Sequence, residues 1–148
     1  MITKIENLKI AKRGEKMIKF EEKDKYEIVV DKDKNRIYMV FFSKTKGASD
    51  IPNYLEAVQQ AVNNTVTGYT LLADISLHRG MPDFSLTTIM KESQKIYLNG
   101  GVSKTAIVRG KELILQRMFL QVVSKLSGMN LKSFETREEA EKWLDEKE

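Results

Sequence analysis

The chain has no cysteine, which excludes disulfides, thiolate metal sites and cysteine nucleophiles and suits a reducing compartment. Its one histidine, His78, cannot by itself build the usual zinc set, so no metal site is expected. Long apolar runs are also missing. The longest, Ile37–Phe42, falls far short of the about 20 residues that span a bilayer. The first sixteen residues set single apolar positions (Ile2, Ile5, Leu8, Ile10) among lysines and lack the continuous apolar core of a secretory signal. A cytoplasmic protein without a membrane span is expected. Neither a phosphate-binding P-loop nor a dinucleotide fingerprint is present; Gly100-Gly101-Val102-Ser103-Lys104 has the glycines and the lysine without the spacing. No Gly-x-Ser-x-Gly elbow occurs either. The chain therefore reads as a protein without cofactor and not as an enzyme.

The charge is spread rather than concentrated. The net charge is +4, from 25 basic and 21 acidic residues. The basic residues of the N-terminal third alternate with Glu and Asp, and the end is acidic (Glu138, Glu139, Glu141, Asp145, Glu146, Glu148). A nucleic-acid binder usually gathers its cations on one face, beside aromatics for stacking. No nucleic-acid partner is expected.

A chain of 148 residues suits one domain, and a domain of this size buries roughly 70% of its unfolded surface without metal or disulfide. Residues 1–24 read as a basic N-terminal arm or an extra strand around Ile18 and Phe20, with Met17 a second candidate start. Residues 25–148 read as a single α/β domain. Tyr26–Val30 and Arg36–Ser43 flank the polar turn Asp31–Asn35 and predict a hairpin. The second run is apolar on both faces, as a central strand requires. Ile51, Leu55, Val58 and Val62 recur at helical spacing, with Ser49 or Asp50 as N-cap and Pro52 in the first turn. Tyr69–Ile75 predicts a buried strand. After a loop, Asp83 is the expected N-cap of a helix with the face Leu86, Ile89, Met90, Ser93, Ile96 and Tyr97, stopped at Gly100-Gly101. Lys104–Val108 is a strand, Lys111–Ser127 the longest helix, and Leu131–Phe134 an edge strand. Thr136-Arg137-Glu138-Glu139 has the pattern of a capping box opening a last helix around Ala140, Trp143 and Leu144. The fold class is thus α/β: a mixed central sheet, begun by an N-terminal hairpin and continued by alternating helices and strands, with about four helices.

Several runs resemble one family. Leu71-Leu72-Ala73-Asp74-Ile75-Ser76, a loop, and Asp83-Phe84-Ser85-Leu86 are similar to the central signature of STAS domains, the anti-sigma-factor-antagonist superfamily. The strand-turn-helix from Thr105 to Leu126 and the ending Ser133–Ala140 fit the same pattern, and the likeness extends over residues 25–145. Within the superfamily the chain resembles the stand-alone SpoIIAA-like proteins. The resemblance implies a STAS fold and a regulatory protein-interaction module. Switch-type members carry a phosphoacceptor serine directly after the Asp. Here Phe84 stands at that position, Ser85 matches the following serine, and Leu86-Thr87-Thr88 replaces a glycine-rich continuation. The distant similarity of this group to lipid-binding CRAL-TRIO domains implies an alternative, a small-molecule or lipid carrier.

The candidate site residues follow. Ser85, in the first turn behind Asp83, is a candidate phosphoacceptor, because free N–H groups and the helix dipole favour phosphate there. Arg79, Arg109 and Lys111 leave or open elements beyond strand C-termini, where ligands of open α/β sheets tend to sit. With His78 and Asp83 they are candidate contacts for an anion or a partner. The extra apolar residues Leu113, Ile114 and Leu120 of the long helix suggest a partner surface or an apolar pocket. The function expected is a non-catalytic STAS-like module with a protein partner, docking through residues 79–85. The alternative is a carrier for a small anionic or lipid ligand held beneath the long helix.

Overall fold

The structure, a computed structural model, describes residues 9–10, 16–42, 45–78, 83–109 and 130–147. Its elements are β1 (Lys9–Ile10), β2 (Met17–Glu22), β3 (Tyr26–Asp31), β4 (Arg36–Phe41), α1 (Tyr54–Asn63), β5 (Thr70–Asp74), α2 (Phe84–Asn99), β6 (Lys104–Val108), β7 (Leu131–Phe134) and α3 (Arg137–Asp145). The strands form one sheet in chain order, β1 to β7. The pairs β1–β2, β2–β3 and β3–β4 are antiparallel; β4–β5, β5–β6 and β6–β7 are parallel. This is the mixed sheet that a hairpin followed by βαβ units dictates. The described residues hold three α-helices; the one expected at Lys111–Ser127 lies outside them.

The alternation of side chains divides the core. Ile28 and Val30 of β3, Ile37, Met39 and Phe41 of β4, and Leu71 and Ala73 of β5 face α1 and α2 in the larger cluster. Tyr26 meets Tyr54 of α1 edge to face at 5.0 Å, a geometry worth about 0.5–1.5 kcal/mol beyond burial. On the opposite face Leu72, Ala106 and Val108 pack under Ala140 and Leu144 of α3. β4 is buried under α1 and α2 on one face; on the other, Arg36 and Val40 are buried and Tyr38 is half-buried.

Two local expectations are corrected. Helix α1 starts at Tyr54, and neither Ser49 nor Asp50 caps it. The Asp50 carboxylate instead turns back to accept from the Lys46 and Gly47 N–H groups at 2.9 and 3.3 Å, closing a short 3-10 turn at Ala48–Asp50. Only half of the expected capping box forms at α3. Thr136 Oγ1 accepts from the Glu139 N–H at 3.2 Å, while the Glu139 carboxylate takes up the Thr136 hydroxyl rather than its N–H.

Charges grip α3 at the N-terminal ends of the parallel strands. Arg36, Thr70 and Lys104 stand side by side as the first residues of β4, β5 and β6. The buried Arg36 guanidinium donates to Thr70 Oγ1 at 2.8 Å, to Asp145 Oδ1 at 2.9 Å and to Glu141. Burial works against its charge, but the bond to Asp145 and the contact with Tyr38 outweigh this and raise its pKa. Burial and a hydrogen bond to Glu141 push the Tyr38 phenol up to about 12. Lys104 Nζ donates to the Trp143 and Glu146 carbonyls at 2.9 and 2.6 Å, satisfying acceptors that a helix C-terminus leaves open.

Candidate docking site

At the opposite, C-terminal ends of the parallel strands, the sequence supplies turn formers and caps. Asp74 ends β5 and is buried. Its Oδ1 accepts from the Ser76 N–H at 2.9 Å and the Ser76 hydroxyl at 2.5 Å, and its Oδ2 faces Arg137 Nε at 3.5 Å. The carboxylate thus folds the chain sharply after the strand and ties the start of α3 to the same rim. His78 is turned inward, 8% exposed, with Nε2 on the Thr45 carbonyl. Because a carbonyl only accepts, Nε2 carries the proton in that bond.

Asp83 caps α2 as predicted, its Oδ1 accepting from the Ser85 N–H at 2.9 Å. The segment 45–50 then clamps this cap. The Asp83 N–H donates to the Lys46 carbonyl at 2.7 Å, and the Ala48 N–H donates to Ser85 Oγ at 2.9 Å. Gly47 lies so close that a Cβ there would stand 2.9 Å from both Asp83 Oδ2 and Ser85 Oγ. Thr45 fixes the other end of the segment by donating its hydroxyl to the Lys25 carbonyl at 2.5 Å. A phosphate on Ser85 Oγ would have to displace the Gly47–Ala48 backbone.

The side chain left outward is Phe84. It is the first residue of α2 and 79% exposed; Leu77, before the helix, is 48% exposed. Of the residues singled out in the sequence, His78, Asp83 and Ser85 are brought together through the 45–50 segment. Arg109 is directed elsewhere, to Ser133 Oγ at 3.1 Å and Glu135 at 3.8 Å. Arg79 and Lys111 lie outside the described residues. Sequence reasoning missed Thr45 and Gly47. Gly47 was legible only as a chain break, since close approach between segments 37 residues apart leaves no local pattern.

No helix of the described residues is long and apolar enough to cross a membrane. No group of three or more His, Asp or Glu among them is placed to hold a metal ion.

With strand order, caps and rim in view, the comparison with known families falls into place. The SpoIIAA-like family model matches residues 37–145, from β4 to the end of α3. The chain belongs to the SpoIIAA-like family, a STAS-type α/β domain. No curated protein and no solved structure matches it.

Proposed function

We propose that the chain is a non-catalytic regulatory module that docks a protein partner through the segment joining β5 to α2, with Phe84 as the anchor. The observation that carries this reading is the 79% exposed aromatic ring on the first residue of a helix whose cap is clamped from a second loop. A large apolar side chain on a backbone already fixed by its cap loses little further backbone entropy on binding, and aromatic residues dominate interface energies. Membership of the SpoIIAA-like family supports a protein-interaction role. Catalysis is disfavoured because the polar groups of this rim are engaged in structural hydrogen bonds. Ser76 donates to Asp74, and His78 Nε2 lies on the Thr45 carbonyl. The carrier reading rests on the helix expected at Lys111–Ser127, outside the described residues.

The test is co-purification of tagged chain from its own cells, wild type beside Phe84→Ala. The expected result is a partner held by the wild type and lost at least tenfold in the variant. Equal retention by both would refute the site. An extra mass on the native protein that vanishes on denaturation would favour the carrier.

A further inference from the structure

The sheet face that carries α3 has a second feature, remote from Phe84. An open groove of about 520 Å³ runs between β2–β4 and the start of α3. Its floor is Met17, Val29, Tyr38 and Val40, and Arg137 and Glu138 stand at its wall. Met17 is 40% exposed there. We propose that this groove is the docking site of the chain's own residues 1–8.

Three observations carry the proposal. The first is reach. Lys9 pairs with Lys19 at the sheet edge, so residues 1–8 are joined to the sheet at its β2 side. At about 4.8 Å per strand, β4 lies about 14 Å across the sheet, whereas eight residues extend to about 26 Å. The second is apolar match. Residues 1–8 carry Met1, Ile2, Ile5 and Leu8, which suit a floor of Met, Val and Tyr, and covering them removes apolar surface from water on both sides. The third is charge. Glu27 and Glu141 in the groove are already paired, with Lys19 at 3.3 Å and with Arg36. Glu138 makes no ion pair among the described residues. Lys4 is the one basic side chain of the segment and Glu6 its one acid.

The absence of cysteine makes the test clean. In the full chain, Ile5→Cys is combined with Val29→Cys on the floor or, as a pair that cannot disturb the core, with Glu138→Cys on the wall. Ile5→Cys with Val66→Cys, at the far end of the sheet, is the control. Mild oxidation should close both groove pairs within one chain at least tenfold faster than the control, and adding Lys4→Glu should slow the Val29 pair. Equal rates for groove and control pairs would overturn the proposal. Disulfide-linked dimers from the groove pairs would overturn it too, in favour of a second copy as the occupant.

Discussion

The two ends of the parallel strands are built from different chemistry. At the N-terminal end, Arg36 and Lys104 are buried cations, and they hold acceptors on α3 and its C-cap as well as Thr70. At the C-terminal end the bonds that cross between the loops join neutral or backbone groups, Ala48 to Ser85, Lys46 to Asp83 and Thr45 to His78, while the carboxylates of Asp50, Asp74 and Asp83 hold their own turns and cap. Each end also exposes an apolar side chain. Val66, 69% exposed, is held by two bonds to Asn35, at 3.0 and 3.1 Å. Phe84 is 79% exposed on the clamped helix. The N-terminal end secures the last helix, whereas the C-terminal end positions an aromatic ring where open α/β sheets present their sites.

That contrast can be broken residue by residue. Arg36→Met should be the most damaging change. It strips Glu141 and Asp145 of a buried partner and should cost about 3 kcal/mol in a urea titration, near the low end for such pairs because the carboxylates still reach water. Gly47→Val should come next, at about 2 kcal/mol, because its side chain must push Asp83 and Ser85 aside. It should also impair partner binding, whereas Arg36→Met should leave the affinity of the folded fraction unchanged. Ser85→Ala should cost about 1 kcal/mol by leaving the Ala48 N–H unpaired.

Acidification should loosen the clamp at its base. The Lys46 and then the Gly47 N–H groups, with Lys25 nearby, hold the Asp50 carboxyl below the usual carboxylate range. A depressed folded pKa stabilises at pH above the unfolded value near 3.8, and that contribution is lost as pH falls through the lower folded value. The protection factor of the Gly47 amide should therefore fall below that pH and stay flat from neutral down to it. The smallest stability effect belongs to Phe84→Ala, within about 0.5 kcal/mol of wild type, together with the largest loss of binding.

Much of the scaffold was legible because it is periodic. The unbroken run of β4 announced a central strand, and Asp83 announced a helix start. The cap of α1 was misread because Asp50 satisfies the Lys46 and Gly47 N–H groups behind it rather than those ahead, and pattern alone does not show direction. The candidate docking site was half legible. Asp83 and Ser85 carry a family motif and a cap signature, but Thr45 and Gly47 matter through contacts that cross from one loop to another. Arg36 and Lys104 read as ordinary strand-end cations because the acceptors they hold on α3 and its C-cap lie about 40 or more residues away.

The most direct measurement places a photo-crosslinking amino acid at position 84 or at position 66 and irradiates the source cells. Both sites are exposed and fixed, so they differ in which end of the sheet they report. The account predicts a discrete protein adduct from position 84 and none from position 66. Equal adducts from both, or an adduct from position 66 alone, would contradict it.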